Sequence, residues 1–229
     1  MNTTFVCRIA VCTVVLHGMA ACACTGLYVG RKVSTDGTVL IGRTVDTPPW
    51  SCCFRAVRVP RGEGVKYAYV CTPAVTSTGK GFFPSACANE AGLVISGTVT
   101  GHTRPEILAL DPNSKTNANG VGERNLPGLV AANCATAREA LDYFAKAIAE
   151  RGHLGAEIYM FADRDEAWYL EAYTGHQWAA VRTREETPLA VAARKIAGRK
   201  SEKLPNGGCA SAYTRDDGII VCPIICLKP

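Results

Sequence analysis

After its first two dozen residues the chain has no apolar run near the roughly 18 residues of a spanning helix, so no stable membrane span is expected. No run of lysine and arginine marks a nucleic-acid surface, although the net charge is +5. Histidine is scarce at four residues, and His102, His153 and His176 stand at no metal-ligand spacing; each is expected to be structural or exposed. No Cys–His pattern of the zinc type occurs. Gly120-x-Gly122 lacks the third glycine of a nucleotide loop. Neither a metal nor another cofactor is expected. Cysteine, at twelve residues, is too sparse for a disulfide scaffold. With Cys7, Cys12 and Cys22 in a leader, nine remain, and an odd number cannot pair fully within one chain.

What is present concentrates between residues 21 and 50. Residues 1–23 read as a secretory signal: a short apolar stretch, Ile9 to Leu16, precedes the small-x-small site Ala21-Cys22-Ala23. Cleavage there would leave Cys24 with both a thiol and a free α-amine. A thiolate is a strong nucleophile, and an amine with an ordinary pKa of roughly 7.7–8.0 serves as a base near neutral pH. One processed residue would supply nucleophile and base. The product is expected to be exported, to a periplasm or the exterior. The alternative is a lipid anchor at Cys22, since Met19-Ala20-Ala21-Cys22 loosely resembles a lipobox.

Leu27 to Val33 and Thr38 to Arg43 read as strands around the Ser34-Thr35-Asp36-Gly37 turn. The hairpin would return Arg43 and Asp46 to the start of the first strand. Beside Cys24, Arg43 would favour the thiolate, and Asp46 would hold the α-amine. Further strands are expected at Arg55 to Val59, Val65 to Val70, Leu93 to Val99, Glu157 to Ala162, Ala167 to Tyr173 and Gln177 to Val181. Asn89-Glu90-Ala91-Gly92 reads as a turn and residues 111–123 as an exposed loop. The clearest helix is Ala137 to Arg151, with a Thr136/Glu139 capping box, an apolar face of Leu141, Phe144, Ala145 and Ile148, and a Gly152 stop. Strands, helix, strands suggests layered sheets that are mainly antiparallel.

Several of these segments together resemble the N-terminal-nucleophile cysteine dipeptidases of the dipeptidase A family. They are Cys24-Thr25, Val29-Gly30-Arg31-Lys32, Ser34-x-Asp36-Gly37, Gly42-Arg43-x-x-Asp46, Asn89 to Ser96, Gly120 to Asn125, the Ala135 to Gly152 helix, Asp165 to Glu171 and Gly175 to Trp178. The resemblance covers residues 24 to about 181 in order. It implies an α+β fold, the αββα sandwich of the Ntn hydrolases. It also implies Cys24 as nucleophile, Arg43 and Asp46 beside it, and a short peptide as substrate. Main-chain groups near Thr98 and Val99 are the expected oxyanion donors. Penicillin V acylase and bile salt hydrolase share the Cys-Thr and Arg-x-x-Asp features, so an N-acyl amide is the alternative substrate.

The chain departs from the family after about Val181. The family's Pro-Asn-Gln stretch is replaced by Arg182 to Thr187, and the family's chains are considerably longer. A shifted reading frame near residue 184 would account for both, leaving a fold incomplete at its C-terminus or an inactive remnant with a binding role. The expected organisation is a signal peptide at 1–23, an Ntn-hydrolase-like domain at 24–183 and a divergent tail at 184–229, with a short helix from Pro188 to Ala197 inside it.

Overall fold

The computed structural model describes residues 25–45, 55–75, 81–98, 103–114, 119–183, 185, 188–192, 202–203, 209–210 and 219–221. The expected leader, Cys24, Asp46 and Val99 lie outside them, as does most of the expected tail.

Two antiparallel sheets are stacked. The larger has eight strands and grows mostly by neighbours in sequence. From one edge it runs β3 (Val57–Val59), β4 (Tyr69–Val75), β5 (Phe82–Asn89), β6 (Val94–Thr98), β7 (Glu157–Ala162), β8 (Ala167–Ala172) and β9 (Trp178–Arg182), and ends on β13 (Ile219–Val221). The smaller has β1 (Thr25–Val29) in the centre, β2 (Leu40–Arg43) on one side and β10 (Pro188–Ala192) on the other. Glu202–Lys203 (β11) and Cys209–Ala210 (β12) form a separate pair. The helices are α1 (Pro105–Leu110), α2 (Leu126–Asn133) and α3 (Ala137–Arg151). The class is α+β with mainly antiparallel sheets, and the described residues supply a helical layer and both sheets.

Alternation along the strands sorts the two faces of the large sheet. Ile95, Tyr159, Phe161, Trp168 and Leu170 join Leu126, Val130, Leu141, Phe144 and Ile148 in the main core under α2 and α3. The opposite face is thinner. Ile158, Met160 and Tyr169 meet Ile41, and Ala162 and Ala167 meet Tyr28 of the small sheet. Close stacking needs Gly26, because a Cβ there would come within 2.6 Å of the Met160 side chain.

Residues 137–151 form a helix as the sequence predicts. The Thr136 hydroxyl accepts from the Glu139 amide, and the Glu139 carboxylate accepts from the Ala135 amide. Phe144 is fully buried, with ring centroids 4.7 Å from Tyr159 and 5.4 Å from Phe161. The turn after β5 also forms, with Gly92 at φ 94°. Asn89 anchors it: its side-chain oxygen accepts from Ala91 and Leu93, and its amide donates to the carbonyls of Ala131 (2.9 Å) and Cys134 (2.7 Å) at the end of α2.

Two expectations need correction. Pro188 to Ala192 is a strand, not the start of a helix, because its backbone completes the ladder with β1. The stretch 120–123, expected to be exposed with the rest of 111–123, is buried, and Val121 has no exposure at all. His153 is buried in the interior, in keeping with the structural role expected of it. Phe82–Asn89 and Leu126–Asn133 are elements the sequence pattern did not announce.

Asn89→Asp keeps the turn acceptor but loses the donor to two helix-end carbonyls, and should cost about 1–3 kcal/mol or more in urea unfolding. Phe144→Ala should cost about 3–5 kcal/mol in the same measurement.

Candidate active site

β1 opens at Thr25, the residue after Cys24, and its register sets Gly26 opposite Arg43 at the end of β2. A four-residue strand thus sets Arg43 across from the second residue of β1. Its side chain then leaves water: it is 6% exposed. Nη1 donates to Glu123 Oε1 at 3.2 Å, and Nη2 donates to the Ser85 hydroxyl on β5.

Glu123 sits just ahead of α2 and has its own support. Its backbone amide donates to Glu157 Oε2 at 2.6 Å. The same carboxylate oxygen accepts from the Tyr159 hydroxyl at 2.5 Å and lies 3.3 Å from His153 Nε2. His153 Nδ1 faces the Gly155 carbonyl oxygen at 2.6 Å, which places a proton on Nδ1. Burial lowers the His153 pKa against the opposing pull of Glu157, so the ring is neutral near pH 7. Arg43 is therefore backed by an acceptor pair, Glu123 and Ser85, and behind Glu123 by a layer of Glu157, Tyr159 and His153.

Glu123 is perturbed. Burial pushes its carboxyl up to about 7; Arg43 pulls it down and Glu157 pushes it up further. Above that value the buried Arg43–Glu123 pair is ionic. Such a pair is costly to break, because removing one partner strands a buried charge.

Between β2 and the face of β4 to β6 lies a cavity of about 700 Å³. Ile41, Val70 and Val94 give it apolar walls, and Arg43, Ser85 and Ser96 supply polar groups. The Ser96 hydroxyl is buried with no hydrogen-bond partner among the described residues, so it can still bond a group entering the cavity. Thr98, at the end of β6, is buried and paired with Ile158.

Of the residues the sequence singled out, Arg43 and Thr98 are described, at the ends of β2 and β6. Cys24, Asp46 and Val99 lie outside the described residues. Glu123, Ser85, Ser96 and Glu157 were missed as site residues. Glu123 stands inside the Gly120 to Asn125 segment already noted, directly after Val121 and Gly122, and that segment was the available signal.

The perturbed Glu123 generates a pH test. Its folded-state pKa lies above the ordinary carboxyl value of 4.5, so the stability it contributes is full below 4.5 and is lost as pH rises through about 7. A shift of that size corresponds to about 3 kcal/mol. Melting curves from pH 5 to 8 should show the wild type losing stability over this window and Glu123→Gln losing markedly less. Parallel curves for the two proteins would refute the assignment.

Residues 56–199 match the model of peptidase family C69. The match begins after Arg43. A probable dipeptidase B of Streptococcus pyogenes serotype M6 is 33% identical over 178 residues, covering 70% of this chain and 35% of its own length. A probable dipeptidase B of Lactococcus lactis subsp. lactis is 32% identical over 182 residues, covering 72% of this chain and 38% of its own. The chain thus spans little more than a third of the length of these relatives. Penicillin V acylase from Agrobacterium tumefaciens aligns in structure at a TM-score of 0.41 and 16% identity, over 69% of this chain and 49% of that one. With the family model matched over more than half of its residues, the chain belongs to peptidase family C69.

Proposed function

We propose that this member of a peptidase family is an exported cysteine-type hydrolase of dipeptides, with Cys24 as its N-terminal nucleophile. One observation carries the reading. The strand that follows Cys24 is paired, Gly26 to Arg43, with the strand that presents a buried, doubly held guanidinium. A cation fixed beside a thiol favours the thiolate. The dipeptidase names of the relatives in Streptococcus pyogenes and Lactococcus lactis support a dipeptide as substrate.

On this reading the chemistry begins at the thiol. The Cys24 α-amine takes the thiol proton, and the thiolate attacks the scissile carbonyl carbon. Asp46 holds the amine in its charged form by a charge-assisted hydrogen bond. Backbone N–H groups at Thr98 and Val99 receive the oxyanion. The amine returns the proton to the leaving nitrogen, and water hydrolyses the thioester to free Cys24. Ser85 and Glu123 keep the guanidinium from swinging away during these steps. The apolar cavity walls take the side chain of the substrate.

Processing decides the mechanism, because an amide nitrogen at Cys24 could not accept the proton. Intact-mass measurement of exported protein should give a chain starting at Cys24; a diacylglyceryl mass with two extra residues would place the start at Cys22 and end this reading. In a dipeptide hydrolysis assay Cys24→Ala should abolish turnover, whereas Cys52→Ala and Cys134→Ala should retain it. Cys24→Ser should keep a small residual rate, since an alcohol is the poorer nucleophile. Turnover in Cys24→Ala equal to wild type would sink the assignment.

A further inference from the structure

We infer that Cys71 and Cys87 are the two halves of a cross-strand disulfide that ties β4 to β5 when the chain folds with a disulfide oxidant present. The inference stands apart from the proposed activity. The β4–β5 register sets Cys71 directly opposite Cys87. Opposed residues of an antiparallel ladder point to the same face, and both cysteines join the same core cluster at 6% and 5% exposure. Their Cα atoms are held by the ladder at about 4.5–5.5 Å, whichever kind of pair they form. A disulfide spans about 4.4–6.8 Å. The expected Cα separation therefore lies within the range a disulfide spans. The remaining buried cysteine described, Cys134, caps α2 and faces no cysteine across a ladder. A cysteine pair in register is a narrower coincidence than three thiols sharing one core.

In the structure both residues are thiols. Burial raises the Cys87 pKa, and Cys71 beside it raises it further. Thiolate is the species that exchanges, so the packed protein reacts slowly. The productive moment is folding, before α2 and α3 cover this face of the sheet. One cysteine thiolate attacks a sulfur of oxidised glutathione, forming a mixed disulfide and expelling a glutathione thiolate. The second cysteine thiolate then attacks the protein sulfur of that mixed disulfide and expels the second glutathione thiolate. Two protein thiols are oxidised, one glutathione disulfide is reduced to two thiols, and the two protons end on glutathione. The staple fixes β5 two residues from Ser85, which accepts from Arg43.

The sequence makes the bond easy to read. Trypsin cuts after Lys66, Lys80 and Lys115, and Pro105 protects Arg104, so peptides 67–80 and 81–115 each carry one cysteine. The full chain is refolded in a buffer of oxidised and reduced glutathione, capped with iodoacetamide and digested without reduction. The expected product is the linked pair 67–80/81–115, which reductant splits into its two peptides. Cys71→Ala and Cys87→Ala should each lose the pair, and Cys134→Ala should keep it. Reductant should lower the melting temperature of the oxidised wild type by several degrees and leave Cys71→Ala unmoved. Recovery of the two peptides separately capped from folded wild type would overturn the inference. So would either peptide joined to another cysteine or to glutathione.

Discussion

A guanidinium does not leave water without partners, and Arg43 has left it. Glu123 and Ser85 are what make that burial tolerable. The requirement reaches far into the architecture. Arg43 belongs to the three-stranded sheet, Ser85 to the eight-stranded one and Glu123 to the approach to α2, so one side chain bonds across three parts of the fold. Glu123 can serve only because Glu157 holds its amide, and Glu157 points where it does because the Tyr159 hydroxyl donates to it, with the neutral His153 ring packed behind. The polar chain runs beside a core otherwise made of Phe144, Phe161 and Leu170. A low-dielectric surrounding strengthens each bond in it and raises the penalty for losing any one.

The two faces of the large sheet carry different loads. Under α2 and α3 the core is thick and aromatic, and it holds most of the buried apolar volume. Toward the small sheet it thins to a few contacts around Met160 and Ile41. The cavity lies on that thinner side, between β2 and the face of β4 to β6. Stability and chemistry are thereby assigned to opposite faces of the same strands, with alternating residues of β6 and β7 serving both.

How much was legible in the sequence follows the range of the interactions. The α3 helix could be read because cap, apolar face and stop lie within 17 consecutive residues. The Asn89 to Gly92 turn and the β7–β8 hairpin were equally local. Arg43 was legible as the residue that the hairpin returns beside the start of β1. Its partner Glu123 was not, because the two are 80 residues apart and nothing in either neighbourhood names the other. β5 escaped notice because its small residues, Ser85, Ala86, Cys87 and Ala88, carry little alternation. In the sequence β10 reads as a helix for want of a visible partner: the strand that defines it, β1, lies at the other end of the described chain.

The order of strands also sets an order of assembly. From β3 to β9 each strand of the large sheet is hydrogen-bonded to the next in sequence, so most of it can close hairpin by hairpin over short loops. The small sheet cannot: completing it means bringing Thr25 to Ala192 across nearly the whole described length. Closure over such a span carries an entropic cost that must be met before any contact rewards it. The strands bearing Arg43 would then dock on a surface that already exists, making the candidate catalytic edge the last part of the molecule to acquire its shape and the first to lose it.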